Sequence, residues 1–550
     1  MKNKILLILL LLFGTLLHIY FFGLNEVLKV PDSFAYLQMS HNLKNFSVDG
    51  FGTGWFWFLY SLPIAIIDFF IWNDFLSGKI INLMFFNIGW ILLYQIGRNY
   101  LSSKYALLVI WLYFLSPALL HFNIHVLSEN IYIPLFLGLV LFLHSFIKIP
   151  SYQKTIFLGF FIALMYLTRW EAFIYLGSLV LIFIGMFWKG NIVKIFSYSL
   201  ILVISFGLFI FPYLFHLHSF TWEWWLTNKW ASNLRQAELR WVERMDDAGF
   251  EQAVAELTPN KHHLIAWFAG GLKYDTPQIE WSLTSYITDD PHAFISRFAT
   301  NQKKLYSKNL PQIIIGDAYK VYSSKESFLY KNLPFIWILL IPILLLLFWI
   351  YKMIQQKKYS LLGTVLPFFF TWSFFFTLFF TLNRYFLIFL PFFLICIVYG
   401  IEQIQLKKWE NICKIWLSII LLSIYSLGMY SYYQSHKLDD NKYAIKKTAW
   451  EWLKENQWED LRIMERFPIT TYYSWTKERW LTPYTDTLED IITYAKYNNL
   501  DILTVDTIDF QKYRPDLHAL LDATKKHTGL TLLKIIQENQ SKVILYKIEK

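Results

Sequence analysis

Eleven stretches of this sequence are apolar over about the thickness of a lipid bilayer, and that repetition excludes most folds before any motif is considered. A helix needs roughly 17 to 25 apolar residues to cross the hydrocarbon layer. Runs of this kind lie at about 5–22, 80–97, 105–120, 129–147, 155–168, 171–188, 195–216, 334–351, 360–381, 385–400 and 412–430. A soluble core has no use for so many, whereas a bilayer obliges each crossing segment to bond its own backbone as a helix. Composition agrees: of 550 residues, 56% are apolar, 20% aromatic and 16% charged, the balance of a polytopic membrane protein. The net charge of +10 is spread in short Lys and Arg clusters beside the apolar runs. With no basic helix or aromatic RNA-binding signature, it does not point to nucleic acid. Cys396 and Cys413 fall in or beside apolar runs and offer neither a disulfide framework nor zinc spacing.

Topology follows from where the cations sit. The first run has Lys2 and Lys4 before it, like a signal peptide, but "HIYFFGLNEV" after it holds no small-residue cleavage site, so it is expected to remain as an anchor. A further run, Gly54 to Phe70, contains Pro63 and is barely long enough to span. If it does not span, the inner loops carry Lys2 and Lys4; Arg98 and Lys104; Lys148 and Lys154; Lys189 and Lys194; Lys352, Lys357 and Lys358; Lys407, Lys408 and Lys414. The short outer turns then hold only Arg169 and Arg384. Because short cytoplasmic loops favour Lys and Arg, Gly54 to Phe70 is expected to be an interfacial or re-entrant helix on the outer face. The N-terminus is then cytoplasmic, and residues 217–333 and 432–550 are both extracytoplasmic.

The two polar regions differ. Residues 217–333 open with "FTWEWWLTNKWASNLRQAELRWVERM", an amphipathic helical pattern whose Trp-rich start suits the headgroup zone, and continue as a mostly helical outer loop. The tail alternates as a small α/β domain does. A helix is expected near Tyr443 to Glu455, a strand at "LRIMERF", a helix at "TLEDIITYAKY", a strand at "LDILTVD", and a closing pair at "LTLLKIIQ" and "KVILYKIE".

Ionisable groups at bilayer depth are costly and so point to function. On this topology Asp32, Glu129, Arg169, Glu171 and Arg384 all come to one side. Each also has a plain structural reading. Asp32 is well placed to cap a short helix, the arginines to reach lipid headgroups, and Glu129 to sit in a favourable first helical turn. His121 and His125 have the i, i+4 spacing of a metal pair but lack a convincing third ligand.

The order "PDSFAYLQMSHNL", "LSPALLHFNIHVLSENIYIPLFL", "ALMYLTRWEAFIYLGSLVL" and "TLNRYFLIFLPFFLI" resembles the membrane-embedded GT-C glycosyltransferases. It is similar in particular to the bacterial branch related to protein O-mannosyltransferases and the aminoarabinose transferase of lipid A. The tail resembles the outer C-terminal domain that many bacterial members carry. The likeness covers nearly the whole chain through short, degenerate motifs whose order and spacing carry it. It implies an α-helical polytopic membrane protein with about eleven transmembrane helices, a helical outer loop and a small C-terminal α/β domain. The expected organisation is a transmembrane module at 1–216 with a catalytic first outer loop at 24–79, an extracytoplasmic region at 217–333, a second transmembrane module at 334–431 and an α/β domain at 432–550.

The resemblance also implies an activity: a hexosyl or pentosyl transferase in the inner (plasma) membrane, moving a sugar from a polyprenyl-phosphate carrier to a glycan, lipid or protein acceptor on the outer face. The first-loop aspartate, usually assigned as the base, falls on Asp32. The family's "TRPEG"-like turn appears as Thr168, Arg169, Trp170, Glu171 and Ala172, with Trp in place of Pro. The Arg-Tyr pair matches at Arg384 and Tyr385, with Pro391 downstream. Glu129, Glu171, Tyr36 and Tyr385 are the expected supporting residues. Many relatives carry a second acid after the first, where this chain has Ser33. No cofactor is therefore expected beyond the lipid-linked donor, and a divalent metal, as in the oligosaccharyltransferase branch, is left open.

The residue types suit that chemistry independently. An acceptor hydroxyl attacking C1 needs a group to take its proton, which a carboxylate does. The leaving prenyl phosphate needs no general acid, but its growing charge in a water-poor site must be met by fixed cations, and guanidinium forks match phosphate oxygens. Asp32 fits the first task and Arg169 and Arg384 the second. Glu129 either holds an arginine or binds a sugar hydroxyl. Three alternatives remain: an O-antigen polymerase or ligase, for which His262, His263 and His292 would matter more than Asp32; a flippase or transporter of lipid-linked sugars; and a structural anchor.

Overall fold

The computed structural model describes residues 2–24, 28, 30–47, 51, 57–188, 191–221, 224, 226, 288, 291–314, 341–355, 360–379, 383–405, 409–456, 461–466, 469–473, 480–481, 487–508, 510, 515–538 and 541–549. They belong to two compact units. One comprises Met1–Gly23, Trp57–Leu226 and Phe294–Ser435, the other Leu24–Phe56, Thr227–Ala293 and His436–Lys550.

The first unit is helical. Each of the eleven apolar runs overlaps a helix, from Lys2–Leu24 at the start to Glu410–Glu455 at the end. Among the described residues six helices are long and apolar enough to cross a membrane, or seven if one bent pair counts as a single span. That pair is Ser103–Phe114 and Pro117–Ile124, which meet at 55°. The run read as continuous over 105–120 is thus broken, and Pro117 explains the break. A proline supplies no N–H to the turn before it and drives the preceding residue out of helical geometry. Ser116, at ψ 112, caps the second piece by accepting a hydrogen bond from Leu119 N at 3.4 Å.

Gly54 to Phe70 resolves into the helix Ser61–Ile71, ended by Trp72 at φ 56. Eleven residues at about 1.5 Å each fall well short of a bilayer core of about 30 Å. Its Ile64, Ala65 and Asp68 face inward while Ile66, Phe69 and Phe70 are exposed.

Small residues set the closest helix contacts. A Cβ added to Gly400 in the helix Leu390–Glu402 would stand 2.6 Å from Leu345 O of the helix Ile341–Gln355. One added to Gly159 would collide with Ser205 Oγ and lie 2.9 Å from Leu202 O. With no hydrophobic drive between helices inside lipid, such close backbone approach supplies the packing attraction.

The second unit contains the helix Pro31–Lys44 and the tail domain. Five strands, β1 (Ile463–Glu465), β2 (Trp480–Leu481), β3 (Ile502–Asp506), β4 (Leu530–Glu538) and β5 (Ser541–Ile548), form one sheet in the order β2-β1-β3-β5-β4. β1 runs parallel to β2 and β3, and β5 antiparallel to β3 and β4. β3 is buried along its whole length, as a central strand covered on both faces must be. Leu503 and Ile544 pack with Ile491 and Tyr494 of the helix Leu488–Tyr497. Ile502 and Leu545, the alternate positions, pack with Ile445, Ala449 and Leu453. The helix, strand and closing-pair expectations for the tail agree with these elements. Three differences emerge: β2 and the short helix Ile469–Tyr473 were not anticipated, and the 412–430 run and the Tyr443–Glu455 helix are one continuous helix, Glu410–Glu455. Most of the amphipathic stretch at the start of 217–333 lies outside the described residues. Further on, Pro291–Lys304 and Leu310–Ile314 are helical.

Candidate active site

Within the first unit, five of the expected residues, Glu129, Arg169, Glu171, Arg384 and Tyr385, come together at one end of the helices. Glu129 opens the helix Glu129–Lys148, where a negative charge is favoured by the backbone dipoles. Its approach is held by amide side chains. Asn130 Nδ2 donates to Phe122 O at 2.7 Å, His125 O at 3.0 Å and Leu127 O at 3.0 Å. Asn82, fully buried in the helix Asp74–Arg98, donates to Asn123 O and His125 O, each at 2.8 Å, and accepts from Tyr60 Oη at 2.5 Å. Sequence reasoning passed over both asparagines. The available signal was an amide within an apolar run, which is costly unless it bonds.

Arg169 follows the helix Tyr152–Tyr166 in extended conformation, φ −153 and ψ 123, before the 3₁₀ turn Trp170–Phe173. Its N–H donates back to Met165 O at 2.8 Å. Trp170, standing where the family pattern has Pro, is buried, stacked on Phe173 and edge-on to Phe375. The break in the helix turns both Arg169 and Glu171 inward.

Arg384 and Tyr385 lie on the short helix Asn383–Phe386. Trp372 Nε1 donates to Tyr385 O at 2.8 Å, and the Tyr385 ring stacks on Phe376 at 4.3 Å. Trp372 and Phe376 are one helical turn apart on Ser360–Phe379, so a single helix face fixes both backbone and ring.

The charges then meet. Arg169 Nη1 lies 2.6 Å from Glu129 Oε1 and Arg169 Nη2 lies 3.3 Å from Glu171 Oε1. Arg384 Nε approaches the same Glu129 oxygen at 3.5 Å. The Arg169 guanidinium sits over the rings of Tyr132 and Tyr385, 5.9 and 5.4 Å from their centroids, and that of Arg384 lies 5.7 Å from Tyr385. Burial opposes the charge on Arg169, yet Glu171 and Glu129 outweigh both burial and the repulsion from Arg384, so its pKa rises above the ordinary value. The Glu129 and Glu171 side chains are 3% and 7% exposed, against 20% for Arg384. Arg384 is thus the most exposed charge of the cluster and Glu129 the most buried.

Asp32 and Tyr36 belong to the second unit. Asp32 lies in the first turn of Pro31–Lys44, but it is not the cap: that position is Val30, and Pro31 takes the first helical place, where its missing N–H costs nothing. Tyr36, one turn on, is buried, as is Ser33. Among the described residues no three His, Cys, Asp or Glu side chains are grouped so as to hold a metal ion. His121 and His125 do pair, ring centroids 4.7 Å apart, with Tyr432 Oη 3.1 Å from His121 Nδ1. His262 and His263 lie outside the described residues, and His292 is exposed on Pro291–Lys304.

Solved structures share this architecture. The apo oligosaccharyltransferase of Archaeoglobus fulgidus aligns over 91% of this chain and 69% of its own, at TM-score 0.53 and 11% identity. The same enzyme tethered to an acceptor peptide containing the NVT sequon aligns over the same shares at TM-score 0.50 and 12% identity. The chain has the GT-C fold. Apo ArnT from Cupriavidus metallidurans aligns over 99% of this chain and 98% of its own, at TM-score 0.46 and 8% identity. No protein-family model and no curated protein sequence matches the chain. The chain thus shares its fold with an enzyme to which its sequence is only 11–12% identical.

Proposed function

We propose that this GT-C protein is a membrane glycosyltransferase that moves a sugar from a polyprenyl-phosphate donor to an acceptor on the extracytoplasmic face of the plasma membrane. The observation that carries this reading is the pair of guanidiniums, Arg169 and Arg384, gathered on one buried carboxylate, Glu129. Fixed, paired arginines at a membrane-edge site suit a phosphate whose charge grows as its bond to sugar breaks. A donor whose lipid stays in the bilayer requires the site to be there.

In the proposed reaction the acceptor oxygen attacks the anomeric carbon while Asp32 takes its proton. The bond from that carbon to the phosphate oxygen breaks, and its electron pair leaves with the polyprenyl phosphate, held by Arg169 and Arg384. Glu129 and Glu171 keep the arginines in place, and Tyr385 lies beneath both guanidiniums. One displacement inverts the anomeric centre. The assignment of Asp32 rests on its place in the sequence and on the chemistry the reaction demands.

Binding of undecaprenyl phosphate to the detergent-purified protein tests the phosphate role. A charge-assisted bond contributes about 1.5–3 kcal/mol, so Arg384→Ala is expected to raise the Kd by about 10- to 100-fold. Equal affinity of wild type and Arg384→Ala contradicts it.

A further inference from the structure

We propose that the tail domain acts as a positioning device for Asp32, with Tyr472 and Tyr473 as the positioning residues. The inference rests on the transferase reading of Asp32 and concerns only the second unit. Asp32 is bracketed in sequence by two contacts to adjacent tyrosines. Four residues before it, the Leu28 N–H donates to Tyr473 Oη at 3.1 Å; two residues after it, the Phe34 ring meets the Tyr472 ring edge-on, centroids 5.7 Å apart. Leu28 and Phe34 are themselves buried. One contact holds the chain before the helix and the other fixes the rotation of its first turn. Successive helix positions are about 100° apart, so slippage by one residue would carry the carboxylate to another face.

The tyrosines stand on a firm base. Their short helix, Ile469–Tyr473, is the next described element after β1, and Thr470 N donates to Glu465 Oε2 at 3.2 Å. Glu465 ends β1 and Asp506 ends its parallel neighbour β3. Asp506 pairs with Lys446 at 3.2 Å, Asp506 Oδ1 accepts Ile508 N at 2.8 Å, and Lys446, Glu465, Arg466 and Asp506 are all almost fully buried. Burying four charges is a poor way to gain stability, since apolar packing does as well. Here the Lys446–Asp506 pair and the Thr470–Glu465 bond tie down the strand ends next to the tyrosines, and a proton acceptor needs such fixing: a displacement of about 1 Å can cost about 100-fold in rate.

The test uses the full-length protein in detergent with Tyr473→Phe, Tyr472→Ala and Tyr472→Phe. Hydrogen exchange judges the tether regardless of activity. Amides of 32–36 are expected to exchange faster in Tyr473→Phe and Tyr472→Ala, while those of β1 and β3 keep the wild-type rate. Unchanged exchange at 32–36 overturns the proposal, as does acceleration spread through the sheet. Turnover of whichever polyprenyl-phosphate sugar the wild type accepts judges the consequence. We expect kcat to fall about 10-fold in Tyr473→Phe and about 100-fold in Tyr472→Ala, with KM for the donor little changed, and Tyr472→Phe to restore it. Full kcat in these variants, with Asp32→Asn inactive, overturns the positioning role alone. A fully active Asp32→Asn instead overturns the reading of Asp32 on which it rests.

Discussion

Glu129 offers one oxygen to two arginines, and most of the site's behaviour follows from that sharing. Glu171 holds Arg169 from the other side, but at 3.3 Å rather than 2.6 Å. Removing one partner from a buried charge pair costs about 2–5 kcal/mol, largely because the other is left unpaired. Glu129→Gln is therefore expected to lower kcat/KM by about 100-fold and Glu171→Gln by about 10-fold at most; steady-state kinetics of the two variants compares them, and the reverse order would contradict the geometry. The raised pKa of Arg169 also has a direction in pH. A cation whose folded pKa lies above its unfolded value stabilises the fold below the unfolded pKa and loses that contribution as pH rises through the folded one. An arginine stays charged in both states over the ordinary range of pH. Thermal stability measured between pH 6 and 10 should therefore show no transition that Arg169→Met removes.

At the scale of elements, the turn before Glu129 is held by amide side chains as well as by packing. Asn130→Ala withdraws three hydrogen bonds from backbone carbonyls, and leaving buried carbonyls unsatisfied costs about 1–3 kcal/mol. A lower thermal midpoint and a raised donor KM are expected together, because the same turn carries Glu129. Gly400→Ala should lower the midpoint without a matching change in KM, since its clash with Leu345 O loosens a helix pair and touches none of the charged residues. The helices themselves were legible, because an apolar run of bilayer length has few other uses. So was the charged cluster around Glu129, since intramembrane charges are scarce enough to draw attention. Hidden from view were the pins: Asn82 reaches residues more than forty positions away, and no periodicity records such a bond. The Pro117 break was misjudged because hydropathy is insensitive to direction. The helix carrying Asp32 meets the tail through Phe34, and Leu28 just before it through a hydrogen bond. One hydrogen bond and one ring contact between segments some 440 residues apart leave no mark on either stretch alone.

For the whole molecule, the orientation proposed from the distribution of Lys and Arg puts the tail outside. Lys525, whose side chain is 65% exposed in the tail, gives that orientation a simple test. In intact cells, Lys525→Cys should react with a membrane-impermeant maleimide; reaction only after lysis would mean that the number of crossings differs by an odd number. The central claim is chemical. Its most direct measurement is incubation of the purified protein with a panel of polyprenyl-phosphate sugars and a cell-envelope acceptor fraction, scoring free polyprenyl phosphate. The account predicts release from at least one donor by the wild type and a fall of at least about 100-fold in Asp32→Asn. Release from none of them, or undiminished release by Asp32→Asn, would contradict it.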